Sequence, residues 1–188
     1  MNKVLQAAAE LQNVCQSQGW QFCFIGGVAL QRWGEPRQTL NVDLSLLAGF
    51  GREQHFSDTL LRHFEPRISN ASAFAQQERV LLQRSSKGVG LDVALAALPY
   101  EELVIQRSSS FDYPRGISLR TCSAEDLIVL KAFAGRGQDW IDVERVIVRQ
   151  TGKLDWDYIC EQLRPLAELK DAPEIVDQLE TRRVEFER

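Results

Sequence analysis

The alternation of apolar and polar positions divides the chain into short strands and helices. Val4, Ala8, Leu11 and Cys15 fall near one face of a helical repeat, which predicts a helix over 2–18 ended by Gly19. QFCFI, 21–25, is a short apolar run of strand type, and Gly26-Gly27 breaks it sharply. VALQRWG predicts a short helix stopping at Gly34. Glu35-Pro36-Arg37-Gln38 reads as a loop, because Pro36 disfavours helical backbone at the residue before it. TLNVDLSLL, 39–47, alternates with period two. Leu40, Val42, Leu44 and Leu46 share one face, and Asn41, Asp43 and Ser45 share the other. Ala48-Gly49-Phe50-Gly51 is a turn, and 52–64 has the pattern of an amphipathic helix. Residues 66–77 have no clear period, and a mobile loop is expected there.

ERVLLQR, 78–84, and VGLDVALAA, 89–97, are two strand candidates joined by a hairpin turn at Ser85-Ser86-Lys87-Gly88. Pro99 opens a short helix to about Arg107, and Ile117 to Arg120 is an edge-strand candidate. Ser123 has the chemistry of an N-cap, with Asp126 three residues on. Helix is predicted over 124–134 and, after the flexible Gly135-Arg136-Gly137, over 139–150, 155–169 and 173–186. This order implies an α+β fold, a mixed sheet flanked by helices with a mostly helical C-terminal part. The expected division is 1–121 for the α/β core and 122–188 for helices packed on it.

Composition narrows the function classes. With 188 residues and 44% hydrophobic content, the chain can bury a sizeable core. A net charge of −4 argues against a broad basic nucleic-acid surface, although arginine, the better phosphate fork, greatly outnumbers lysine. The N-terminal stretch has no long apolar run, and no segment approaches the ~18 apolar residues of a membrane span, so a cytoplasmic protein is expected. Cys15, Cys23, Cys122 and Cys160 are scattered, with no C-x-x-C pair, and read as buried small apolar residues rather than zinc ligands or disulfides. His55 and His63 lack a metal-ligand context and read as surface or structural residues.

Three features carry chemistry. The turn FIGGVAL pairs glycines, which permit close backbone approach, with a helix start, whose free N–H groups suit an anion. Fourteen positions beyond Gly27, Asn41 and Asp43 project from one strand face, roughly 6.5 Å apart at Cα. Oxygens so placed can bracket Mg²⁺, which is commonly held by one or two carboxylates plus substrate phosphates. Asp92 is a single acid in an apolar strand, where an unpaired carboxylate is costly. Its partner is either a metal shared with Asp43 or one of the arginines.

The pattern GG-x(13)-N-x-D with a later strand carboxylate resembles the nucleotidyltransferase superfamily of the polymerase-β-like fold. The longer stretch GGVALQRWGEPRQTLNVDLSL resembles the AbiEii-type nucleotidyltransferases of bacterial toxin–antitoxin systems, with their G-G-x-A, R-x-T and D-x-D sequence. Lys131, Ala134, Arg136, Asp139 and Asp142 resemble the helical Lys/Arg/Asp motif of that group, so the likeness covers roughly 22–148. The resemblance implies that Gly26 and Gly27 line the triphosphate and that Asp43 and Asp92 hold Mg²⁺ or Mn²⁺. It implies that Lys131 approaches the phosphates or orients the acids, with Asp139 or Asp142 near the site. Arg37 and Thr39 would steady the loop or touch phosphate. The implied reaction moves a nucleotide from NTP–Mg²⁺ to an acceptor hydroxyl, with tRNA or another RNA as acceptor and a cognate antitoxin as partner.

Asn41 departs from the pattern, since the family has Asp there. An amide oxygen can coordinate a metal but brings no charge, and two cations about 3.5–4 Å apart need that charge. Weakened or abolished transfer is expected. A catalytically silent nucleotide-binding or protein-interaction module is one alternative. Transfer to a small molecule, as in antibiotic-modifying relatives, is another. An RNA acceptor calls for an open arginine-lined approach, for which Arg62, Arg67, Arg79 and Arg84 are candidates.

Overall fold

The computed structural model describes residues 2–187. Contacts divide the chain into two compact units. One runs to Val28 and resumes over Gln38–Cys122; the other takes Ala29–Arg37 and continues from Ser123. The chain therefore crosses between units at 28/29 and 37/38 as well as at 122/123, not only near the 121/122 division expected from the sequence.

The first unit is built on a mixed sheet, seven-stranded among the described residues, in the order β3-β4-β5-β2-β1-β7-β6. The strands are β1 (Phe22–Phe24), β2 (Asn41–Leu47), β3 (Glu65–Pro66), β4 (Val80–Arg84), β5 (Gly90–Ala96), β6 (Ser109–Tyr113) and β7 (Ile117–Thr121). β2 runs parallel to β5 and β1 parallel to β7, while β1–β2, β3–β4, β4–β5 and β6–β7 are antiparallel. Val42, Leu44 and Leu46 of β2 and Leu91, Val93 and Leu95 of β5 point to one face, as alternation requires. That face packs on α1 (Asn2–Ser17) through Val4, Leu5, Ala8 and Leu11, on α3 (Glu53–Leu61) through Phe56 and Leu60, and on α4 (Ala71–Glu78) through Ala71 and Ala75. Burial on the core-facing side of α1 pushes the Cys15 thiol up to about 12, leaving it a small apolar side chain. α5 (Pro99–Gln106) packs against β1 and β2, where the Cys23 thiol meets the Val104 carbonyl.

Several elements differ from the sequence reading. Residues 71–78 form α4 rather than a mobile loop, because the face it buries consists of alanines, too small to mark a hydrophobic period. β3 is only two exposed residues and is defined by pairing alone, whereas β6 alternates only through Phe111 and Tyr113, too short a run to mark a strand. β7 lies inside the sheet between β1 and β6, and β6 forms the edge instead. Leu40 precedes β2 and stands exposed rather than sharing the core face. Gly26 and Gly27 are the first residues of α2 (Gly26–Trp33), so the helix begins at the glycines.

The second unit contains α6 (Ala124–Ala134), α7 (Gly137–Arg149), α8 (Trp156–Leu169) and α9 (Glu174–Phe186). Ser123 caps α6 by accepting the Asp126 N–H at 3.1 Å. α6 is buried on most sides through Leu127, Ile128, Val129 and Ala132, whereas α7 buries Trp140, Val143, Val146 and Ile147. The segment from Ala29 docks on α7. A Cβ at Gly34 would come within 3.1 Å of the Val146 side chain, and the Gln150 amide donates to the Trp33 carbonyl at 2.9 Å. Among the described residues, no helix is long and apolar enough to cross a membrane.

Candidate functional site

Asp43 and Asp92 face each other across the parallel pair β2–β5, in a register that also sets Asn41 beside Gly90. Both carboxylates lie on the sheet face opposite the core and are half-buried. Like charges directly opposite one another destabilise a sheet unless a cation intervenes. The Ile25 N–H donates to the Asp43 carbonyl at 3.0 Å, which brings the end of β1 alongside β2 and sets the start of α2 next to Asp43.

Three glycines make this close packing possible. Gly26 has φ +54°, and a Cβ there would fall 2.2 Å from Asp43 Oδ2. At Gly27 a Cβ would fall 1.9 Å from Thr39 Oγ1, and at Gly90 it would fall 2.5 Å from Asn41 Oδ1. Each missing side chain is thus replaced by a polar group of the candidate site. The Asp43 carboxylate rests at the N-terminal end of α2, where the helix dipole favours negative charge. The structure brings Gly26, Gly27, Thr39, Asn41, Asp43 and Asp92 together within one unit.

Asp92 has two donors. Asn41 Nδ2 donates to its Oδ2 at 3.2 Å, and the Arg67 guanidinium donates to its Oδ1. Of the two partners left open by the sequence, the structure provides the arginine. Asn41 therefore meets Asp92 with its amide N–H rather than its oxygen. Arg67 is positioned by its own backbone, whose N–H donates to the Leu82 carbonyl at 3.0 Å, and Leu82 pairs with Asp92 in the β4–β5 ladder. Sequence reasoning named Arg67 only as one of four arginines and passed over Gly90. The other three have different settings. Arg62 donates to Thr59, Arg79 pairs with Glu53 and also donates to the Gly49 and Leu95 carbonyls, and Arg84 is exposed at the end of β4. They do not assemble with Arg67 into one arginine-lined approach.

The donor set can be tested against a metal. Side-by-side carboxylates are oxygen ligands of the kind Mg²⁺ and Mn²⁺ prefer. Among the described residues no three His, Cys, Asp or Glu side chains converge as a metal group, and both Asp92 oxygens already accept hydrogen bonds. The residues fit one divalent ion shared by Asp43 and Asp92, and not a three-carboxylate, two-ion site.

Lys131, Asp139 and Asp142 form a cluster within the helical unit. Lys131 Nζ lies 3.1 Å from Asp139 Oδ1 and 2.7 Å from Asp142 Oδ2. Arg37 grips Asp142 with two nitrogens, Nε and Nη2, each 2.9 Å from a carboxylate oxygen. Asp142 is fully buried. Burial alone would raise its pKa, but hydrogen bonds from Arg37 and Lys131, the Lys131 charge and the Gln138 amide outweigh it and hold the carboxyl below its ordinary value. Lys131 and Arg37, with the exposed Arg136 3.9 Å from Asp139, face two carboxylates here, so Lys131 is engaged in an internal ion-pair network rather than presented as an isolated positive charge.

No family model matches the chain, and no curated protein is found to be similar. Among solved structures, an antigenic nucleotidyltransferase-like protein from Paracoccidioides brasiliensis aligns with TM-score 0.53 at 16% identity, over 96% of this chain and 93% of that one. The antibiotic-resistance factor ANT(2″)-Ia in solution aligns with TM-score 0.49 at 13% identity, over 98% and 91%. Its complex with adenylyl-2″-tobramycin gives 0.47 at 14%, over 99% of both chains. The first alignment establishes a nucleotidyltransferase-like α+β fold for this chain.

Proposed function

We propose that the protein binds a nucleoside triphosphate with a single Mg²⁺ or Mn²⁺ ion and transfers a nucleotide slowly to an acceptor hydroxyl. The observation that carries this reading is the Asp43 carboxylate against Gly26 at the start of α2, with Asp92 opposite it in register. Gly26 and Gly27 leave backbone N–H groups at a helix start for the phosphates, a favourable anion setting. Asp43 and Asp92 hold the cation, which supplies charge neutralisation for the triphosphate. Thr39 packs over Gly27 and fixes the turn. Asn41 supplies no charge, so catalysis that depends on charge neutralisation is weak. The finer reading, an AbiEii-like toxin acting on tRNA or another RNA and matched by an antitoxin, has the sequence likeness as its support.

A second reading has its own observation. Both Asp92 oxygens are satisfied within the protein, by Asn41 and Arg67, which favours a catalytically silent nucleotide-binding module. One experiment separates the two. Wild type and Asn41→Asp are incubated with Mg²⁺, labelled NTPs and total RNA, and NTP affinity is measured in parallel. Labelled product that rises in Asn41→Asp supports transfer. NTP binding without product in either protein supports the silent module. Neither binding nor product would sink both readings.

A further inference from the structure

We propose that Arg67 is the resident counter-cation of the acidic pair, so that a divalent ion enters between Asp43 and Asp92 only by displacing its guanidinium. The inference rests on reading Asp43 and Asp92 as a cation site, and it assigns control of that site to a residue outside the glycine and acid motifs.

The opposed register of Asp43 and Asp92 creates a local need for positive charge. Arg67 meets it through the bond from Nη2 to Asp92 Oδ1, while the Asn41 amide covers Oδ2. The two donors come from different elements, β2 and the residue after β3, and both converge where Gly90 has no side chain. A Cβ at Gly90 would lie 2.5 Å from Asn41 Oδ1 and 3.0 Å from Arg67 Nη1, so the glycine creates the space both groups use. Asn41 favours this arrangement over the metal-bound one. A carboxylate at 41 would add a second acceptor for a metal but could not donate to Asp92.

The guanidinium is also displaceable. Arg67 side-chain exposure is 24% and that of Asp92 is 26%, so solvent reaches the pair. Arg67 Nε is buried with no hydrogen-bond partner among the described residues. A buried donor left unmade costs free energy, so the resting arrangement does not satisfy the guanidinium fully. A divalent ion bridging both carboxylates removes the need for Arg67 there. The released guanidinium is then free for another anion, and the forked geometry of Arg suits phosphate.

The test is a Mn²⁺ titration followed by electron paramagnetic resonance, on wild type, Arg67→Gln and Arg67→Gln/Asp92→Asn. Folding is checked by circular dichroism. Removing a unit charge within hydrogen-bond distance of a ligand should tighten Mn²⁺ binding by about tenfold or more in Arg67→Gln. The double variant should lose that gain. Coincident titrations for wild type and Arg67→Gln, or a gain that survives Asp92→Asn, would overturn the proposal. A second measurement uses wild type alone, in case Arg67→Gln does not fold. With ¹⁵N-labelled arginine, adding Mg²⁺ should shift the Arg67 Nε–H resonance in step with Mg²⁺ binding. Saturation with Mg²⁺ and an unmoved Arg67 signal would also overturn it. Fluorescent ATP binding in EDTA is recorded separately. A protein whose Mn²⁺ affinity responds to Arg67 but which binds no nucleotide keeps this inference and loses the proposed function. Nucleotide binding with Mn²⁺ affinity indifferent to Arg67 does the reverse.

Discussion

At the scale of single residues, the glycines define the candidate site more sharply than the acids do. Gly27 has ordinary backbone angles, so an added methyl acts through contact alone, and the contact is severe, with Thr39 Oγ1 at 1.9 Å from the ideal Cβ. Gly27→Ala should therefore destabilise by about 1–3 kcal/mol, as overpacking does. Thr39→Gly in the same chain should restore much of that loss. Gly88 is the control. Its φ is +77° and no atom lies within 4 Å of an added Cβ, so Gly88→Ala should cost only the strain of the left-handed backbone, about 1 kcal/mol. Urea midpoints of the four proteins check this. Failure of Thr39→Gly to rescue Gly27→Ala would show that contact is not the cause. The placement of Asn41 and Asp43 on one strand face, of Asp92 in a neighbouring strand and of a chain break at Gly26-Gly27 was readable in the sequence, because alternation sets side chains on faces and glycine pairs mark turns. Asn41 as a donor to Asp92 was not readable, since its partner lies 51 residues away.

At the scale of elements, the helical unit is tied by one buried carboxylate. Asp142 on α7 holds Lys131 of α6 and Arg37 of the segment that follows α2. Asp142→Asn leaves Arg37 without its countercharge and Lys131 with Asp139 alone, and breaking a buried pair in this way typically costs about 3–5 kcal/mol. The pH dependence follows from its direction of shift. The folded pKa lies below the unfolded one, so the ionised carboxylate stabilises the protein fully above the unfolded value of about 3.9. That stability is lost as pH falls through the folded value. Between pH 7 and 2.5 the wild-type urea midpoint should drop on the acid side, and the drop should be smaller in Asp142→Asn. Equal acid limbs in the two proteins would remove Asp142 as the cause. Sequence patterns located α6 and α7 closely, because Ser123 caps the apolar run of α6 and the apolar positions of α7 recur at helical spacing. They missed α4, whose buried face is only Ala71 and Ala75; they missed β3, which pairing with β4 alone defines, and β6, whose apolar alternation is only Phe111 and Tyr113.

At the scale of the whole molecule, the sheet order explains why Arg67 was hidden. Arg67 reaches Asp92 because β4 and β5 form a hairpin, β3 pairs with β4, and Leu82 stands in register with Asp92. No local pattern encodes that sum of pairings. The chain division falls within α2, which starts in one unit with Gly26 and ends in the other with Trp33. Within the helical unit, Ala29 and Leu30 are fully buried, Arg149 donates to the Gly34 carbonyl and Arg37 to Asp142. A fragment ending at Cys122 removes all of these partners. The fragment keeps all eight residues of α2, but a helix that short does not persist by itself, because nucleation is unfavourable without packing. The Gly26-Gly27 turn should then lose its helix start, and with it the N–H groups proposed to meet phosphate. We expect fragment 1–122 to show fast amide hydrogen exchange over 26–37 and no binding of fluorescent ATP. Adding fragment 123–188 should restore both protection and binding. Slow exchange over 26–37 in the isolated fragment would mean that the sheet unit alone sustains the turn, and that the helices are dispensable to it.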